Sequence, residues 1–179
     1  MEQILRGEYT VTIATMEDAS EVLRLLRDVA YWLRTLGEKQ WETVVRGEED
    51  DEVLEAMKNN LVYIVRKENK LVGMFILFPE QTHWDEWLWG KREDAAVYLH
   101  KFALASAEIG NGLGKVLIQW IEDYLFQNNI AILRLDCIGS NEKLNLFYKN
   151  CGYIKVSQSK CFSLYEKNLT RKVIKNQSQ

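Results

Sequence analysis

Three glycines at alternate positions, Gly110, Gly112 and Gly114, lie in the run Ile109-Gly110-Asn111-Gly112-Leu113-Gly114-Lys115, between a strand-like segment and a long amphipathic one. Glycine removes side chains where a backbone must bend sharply or approach something closely. The helix that follows opens with amides that have no internal partner. A strand, a glycine turn and a helix N-terminus, in that order, build an anion site from backbone alone.

The segments around this unit read as alternating strands and helices. Residues 9–14 form a first strand, with Tyr9, Val11 and Ile13 alternating against Thr10 and Thr12. Thr15 with Asp18 three residues on resembles a capping box, and Val22, Leu25, Leu26, Val29, Trp32, Leu33 and Leu36 recur at helical spacing until Gly37. A polar link containing Gln40 and Trp41 leads to the acidic run at 48–52. That run opens a shorter helix through Met57 and reads as a solvated helix start favoured by the helix dipole. Residues 61–66 and 71–78 predict an antiparallel hairpin around Lys67-Glu68-Asn69-Lys70. Residues 79–92 break the periodicity yet hold Trp84, Trp87 and Trp89, too many aromatics for an ordinary solvated loop.

Strand character returns at 95–104 and delivers the chain into the glycines. The next helix carries Leu113, Leu117, Trp120, Ile121, Tyr124 and Leu125 on one face, with Lys115, Gln119, Glu122 and Asp123 opposite. Residues 131–138 form a strand whose helical connection implies parallel pairing with 95–104. Ser140 or Asn141 caps a further helix to Asn150, and 152–156 with 161–167 make a closing pair. The expectation is an α/β domain over 1–170 with a mixed, twisted sheet of six or seven strands flanked by helices, and a polar tail at 171–179.

A formal charge of −3 with no evident basic patch argues against nucleic acid or an anionic membrane as partner. No apolar run approaches the roughly 20 residues of a membrane span, and Met1-Glu2-Gln3 leads into charge rather than a signal core, so a cytoplasmic location is expected. Cys137, Cys151 and Cys161 are too widely spaced for a Cys-x-x-Cys pair, and with His83 and His100 as the only histidines no metal site is expected.

Two common phosphate loops do not fit. The nucleoside-triphosphatase type needs a hydroxyl residue after Gly-Lys, where this chain has Val116, and a glycine where it has Ile109. The dinucleotide fingerprint would put its third glycine at Lys115 and belongs on the first strand-helix turn, whereas these glycines lie past the midpoint.

Gly110-x-Gly112-x-Gly114 between strand and helix instead resembles motif A of the GCN5-related N-acetyltransferases, the GNAT family. Tyr98-Leu99-His100-Lys101-Phe102-Ala103-Leu104 looks like the family's fourth strand, and Asn141-x-x-Leu144-x-x-Phe147-Tyr148-x-x-x-Gly152-Tyr153 is similar to its motif B. Together these cover residues 95–156. One departure is Ile109, where the family usually has Gln or Arg. The segment from Trp32-Leu33 to Gln40-Trp41 also resembles some small-molecule acetyltransferases of the family.

The resemblance implies acetyl-coenzyme A (acetyl-CoA) as donor and a primary amine of a small molecule or peptide as acceptor, attacking the thioester directly. It places the diphosphate on Ile109, Gly110, Asn111, Gly112, Leu113, Gly114 and Lys115. The pantetheine arm would lie along Phe102, Ala103 and Leu104, where the central parallel strands splay. By the same resemblance Tyr148 is the general acid for the departing thiolate and a cofactor contact. Asn141 either binds the cofactor arm or only caps its helix.

The general base is open. His100 is the residue type suited to the task but, as a lone strand histidine, is more often structural, with Glu108, Asp136, Glu86 and His83 as weaker candidates. Trp84 and Trp87, with Trp32 and Trp41, either wall the acceptor pocket or serve packing, and exposed aromatics also suggest a homodimer contact. Cys137 and Cys151 flank the active region without an activating base. A rival reading is a catalytically idle acyl-CoA-binding or sensor module on the same scaffold.

Overall fold

The computed structural model describes residues 3–5, 7–38 and 40–169. Eight strands are formed by Gln3–Leu5 (β1), Tyr9–Ile13 (β2), Val62–Lys67 (β3), Lys70–Phe78 (β4), Val97–Leu104 (β5), Ile132–Ile138 (β6), Ile154–Ser159 (β7) and Phe162–Asn168 (β8). Six helices accompany them: Ala19–Thr35 (α1), Glu42–Val45 (α2), Asp50–Lys58 (α3), His83–Trp89 (α4), Leu113–Gln127 (α5) and Glu142–Asn150 (α6). All strands join one sheet in the order β1-β2-β3-β4-β5-β6-β8-β7, antiparallel throughout except for the parallel pair β5–β6. The mixed sheet thus has one strand more than the upper expected count. The addition is β1, three residues paired to β2 and too short to show a periodicity. The polar tail lies outside the described residues.

Period-two alternation in β3 and β4 divides the core. Tyr63, Val65, Phe75 and Leu77 pack with Leu113, Leu117, Ile118 and Ile121 of α5. Val62, Ile64, Met74 and Ile76 pack on the other face with Val22, Leu25, Leu26 and Val29 of α1 and Val53, Ala56 and Met57 of α3. β4 is therefore buried on both sides. The Thr15–Asp18 capping box forms and introduces a short 3₁₀ turn before α1, and the left-handed Gly37 (φ +84°) follows the end of α1.

Residues 83–89, aperiodic in sequence, form α4, whose capping box joins Thr82 and Asp85. Its buried face holds just Asp85 and Leu88, too little apolar spacing to mark a helix in the sequence. Glu122, assigned to the polar face of α5, is buried and accepts a hydrogen bond from Lys167 Nζ (2.6 Å), which also donates to the Cys151 carbonyl (2.7 Å). A buried carboxylate on an amphipathic helix becomes tolerable when a cation from β8 meets it.

The central feature of the sheet is a bulge in β5. Met74 pairs with Ala103 and Ile76 with His100, so Phe75 alone opposes Lys101 and Phe102, and Lys101 takes φ +47°. Pairing of β5 with β6 extends only over Val97–Leu99 against Leu133–Leu135, while β6 continues to Ile138 against β8. Beyond Leu99 the parallel strands part, as the resemblance implied. Gly73 helps make the bend possible, because a Cβ there would lie 2.7 Å from Leu104 Cδ2 and 3.2 Å from the Ala103 carbonyl oxygen.

On the other side of the splay, Arg134 is buried to 1% side-chain exposure and ties down the segment that enters β5. Its guanidinium donates to Asp94 (2.9 Å), the Tyr98 hydroxyl (2.9 Å) and Glu166 (2.9 Å), with the Trp89 ring 5.5 Å away. Breaking a buried pair typically costs about 3–5 kcal/mol. Asp94 and Glu166 keep 41% and 23% side-chain exposure, so their hydration offsets part of that cost. Arg134→Met should therefore destabilise the protein by about 2–3 kcal/mol, lowering the melting midpoint by roughly 5–10 °C. An unchanged midpoint in scanning calorimetry would show that the network adds nothing.

Candidate active site

The glycine loop is braced from two directions. Asn111 Oδ1 accepts the Leu113 amide (2.9 Å), and Asn111 Nδ2 donates to Glu108 Oε2 (2.7 Å), which also accepts from the Tyr9 hydroxyl (2.8 Å). Glu108, a weaker base candidate, thus holds the loop to β2. Gly110 and Gly112 take φ +90° and +83°, and Gly112 is the N-cap of α5. The Leu113 side chain is fully buried and anchors the helix start. With the Val116 amide donating to the Gly112 carbonyl (3.3 Å), the intervening amides of Gly114 and Lys115 have no partner among the described residues. The strand, the glycine turn and the helix N-terminus thus follow one another in the order read from the sequence.

A groove of about 860 Å³ runs from that turn along β5. Ile109, Gly110, Gly112, Gly114 and Lys115 line one end, Phe102, Ala103 and Leu104 one side, and Asn141, Leu144 and Phe147 of the α6 region the other. Asn111 and Leu113 are not among its lining residues. Asn141 does cap α6, accepting the Leu144 amide at 2.9 Å, while also lining the groove. Gly114 allows α5 to approach α6, since a Cβ would sit 3.4 Å from Phe147 Cζ.

A second cavity of about 490 Å³ shares Gln40, Trp41, Phe102 and Leu144 with the groove. The bulge makes four consecutive residues, Leu99, His100, Lys101 and Phe102, line it together, which plain alternation could not do. His100 Nε2 lies 2.9 and 3.1 Å from the two oxygens of Asp85, which is 1% exposed. A neutral imidazole in this contact donates Nε2–H to Asp85 and offers Nδ1 as acceptor. Asp136, on β6, accepts from the Trp84 indole at 3.1 Å. Burial pushes its carboxyl above the usual range, against the opposing pull of His100 and that indole. Lys101 Nζ is bonded to Glu49 and lies 3.8 Å from Glu52.

Tyr148, also on the cavity wall, is 5% exposed and held by Phe147, Tyr153 and Tyr165 at ring distances of 5.2, 5.9 and 5.9 Å. Burial raises its phenol well above the ordinary value. Burial likewise pushes the Cys137 thiol up to about 12, leaving it a poor nucleophile.

The four tryptophans named from the sequence separate. Trp41 lines both cavities, Trp84 only the smaller one and Trp32 only the groove. Trp87 lines neither; it packs on Trp84 at 5.2 Å beneath Lys160 Nζ, 4.5 Å from its ring. His83 and Glu86 are exposed and line neither cavity. Sequence reasoning missed Glu49 and Glu52, whose acidic run was read as solvated, and Lys101, Asp85 and Phe162. The Thr82-x-x-Asp85 spacing was the one available signal for Asp85. Among the described residues no cluster of three or more His, Cys, Asp or Glu is placed to hold a metal, and no helix is long and apolar enough to cross a membrane.

A mixed sheet splayed beside a glycine cradle defines an α/β acyltransferase architecture. Residues 26–153 match the model of the Acetyltransferase (GNAT) family, and the chain belongs to that family, whose enzymes transfer acetyl groups from acetyl-CoA. It is 30% identical over 171 residues to the uncharacterized N-acetyltransferase YesJ of Bacillus subtilis (strain 168), covering 94% of each chain. The structure resembles a GNAT-family acetyltransferase of Listeria monocytogenes 4b F2365 with TM-score 0.81 and 29% identity, over 94% of this chain and 99% of that one. The fold is also shared with the PaiA N-acetyltransferase of Thermoplasma acidophilum, solved in complex with coenzyme A (TM-score 0.71, 15% identity, 89% of this chain and 98% of that one).

Proposed function

We propose that the protein acetylates the primary amine of a small molecule by direct attack on acetyl-CoA. The observation that carries this reading is the junction of the two cavities at Trp41, Phe102 and Leu144, with Tyr148 on the wall of the smaller one. The groove fits the donor. The amides of Gly114 and Lys115, without a partner among the described residues, and the α5 dipole suit a diphosphate, and Lys115 adds a cation at that end. The backbone of β5 past Leu99, unpaired with β6, suits an extended amide-bearing arm. Ile109 is 46% exposed at the groove edge and offers the diphosphate no side-chain donor, so backbone carries that contact.

In the acceptor cavity the incoming ammonium gives a proton to His100, which Asp85 orients. The free amine attacks the thioester carbon, the C–N bond forms as the C–S bond breaks, and Tyr148 protonates the departing sulfur. Asp136 receives the ammonium before that proton is lost.

Titration calorimetry should show acetyl-CoA binding, and a panel of small amines should release free coenzyme A thiol. Absence of binding at millimolar acetyl-CoA would refute the proposal. Binding without thiol release from any amine would leave an idle acyl-CoA-binding module.

A further inference from the structure

The acceptor cavity carries unequal charge. Glu49, Glu52 and Asp136 line it against the single ammonium of Lys101. Lys101 is bonded to Glu49 and stands 3.8 Å from Glu52, so one carboxylate is matched while Glu52 and Asp136 share no further lysine or arginine of the lining. The two sites differ. Glu52, on α3, keeps 49% side-chain exposure at the cavity rim. Asp136 lies on β6 within the cavity, and the neutral Trp84 indole, 3.1 Å away, is its hydrogen-bond donor.

The walls between them are aromatic. Trp84 meets Phe162 edge-on at 5.0 Å, and Trp41 and Phe102 line the same space. A carboxylate withdrawn from water without a counter-charge is costly, and ring faces beside it favour a cation over a neutral group. An enclosed carboxylate, an aromatic wall and a second carboxylate at the rim together describe an occupant with a cation at each end and a methylene chain between.

We propose that the acceptor is a small aliphatic diamine or longer polyamine, its reacting ammonium against Asp136 and its distal ammonium against Glu52. This rests on the acetyltransferase reading above. A monoamine satisfies Asp136 and leaves the rim site unused. A cavity of about 490 Å³ is within the usual range for small-molecule ligands, so the whole acceptor, rather than the end of a folded chain, is accommodated. Glu52 is half exposed, so its preference for the second cation is screened and amounts to about three- to fivefold in specificity.

At saturating acetyl-CoA, kcat/KM is measured for diaminopropane, diaminobutane and diaminopentane and for the monoamines of equal length. A basic tetrapeptide is included. The diamines should be preferred by about three- to fivefold, chiefly through KM, and Glu52→Gln should reduce the diamine-to-monoamine ratio to about one. Equal use of monoamines and diamines overturns the proposal, as does a ratio that survives Glu52→Gln or a preference for the tetrapeptide. Calorimetry with diaminobutane and butylamine, with and without acetyl-CoA, gives a second readout. Equal affinities overturn the proposal even if no amine is turned over, whereas loss of acetyl-CoA binding alone strikes the parent reading.

Discussion

Tyr148→Phe should turn over acetyl-CoA about 10²–10³-fold more slowly while binding it nearly as tightly. The phenol makes no hydrogen bond to any described residue, so the substitution removes a proton donor without orphaning a partner, and Phe keeps the packing against Phe147, Tyr153 and Tyr165. Burial raises the phenol from its ordinary value of 10.0, and the acid therefore stays protonated throughout the neutral and mildly alkaline range. The same apolar surroundings disfavour a naked thiolate leaving group, which makes proton delivery at that point more valuable than in water. Steady-state kcat and a calorimetric Kd for acetyl-CoA check both halves. Equal turnover in the variant removes the role assigned to Tyr148, and an equal loss of affinity makes it a binding residue instead.

The second large effect is on the donor. Gly112→Asp should weaken acetyl-CoA binding by roughly 100-fold, through two terms that a control can separate. The first is conformational: at φ +83° a side chain costs about 1–2 kcal/mol, and Gly112→Ala incurs that cost alone. The second is electrostatic, a carboxylate beside the amides of Gly114 and Lys115 that are proposed to hold the diphosphate. The Asp variant should recover affinity as salt is raised relative to the Ala variant, because screening weakens the added repulsion. Identical Kd values for the two variants, at low and high salt alike, would mean that no anion sits over this loop.

What could be read from the chain depended on whether a residue's task was set locally. Gly110, Gly112 and Gly114 are constrained by the turn they make, and Asn141, Leu144 and Tyr148 by helical spacing, so the cradle and the α6 wall were both legible. The smaller cavity was not. His100, Lys101 and Phe102 reach it together only because β5 gains a residue opposite Phe75, and a bulge leaves no reliable trace in alternation. Glu49 and Glu52 occupy an acidic helix start like many solvated ones, and only the fold of α2 and α3 brings them to Lys101. Trp84 and Trp87 share one helix face and pack on each other at 5.2 Å, yet only the first bonds Asp136 and lines the cavity, a difference that residue type and spacing do not carry. Glu122 looked like surface because its partner, Lys167, comes from the end of the chain. β1 escaped notice for want of length.

The two cavities draw on different stretches of chain, and this has a consequence for descent. The larger groove is built from β5, the glycine loop, the start of α6 and the end of α1, whereas α3, α4 and β8 contribute only to the smaller cavity, through Glu52, Trp84 and Phe162. Substitutions in those outer segments leave the groove lining untouched. With the groove assigned to acetyl-CoA and the smaller cavity to the amine as proposed, drift at a few outer positions would exchange one acceptor for another while the source of acetyl groups stays the same.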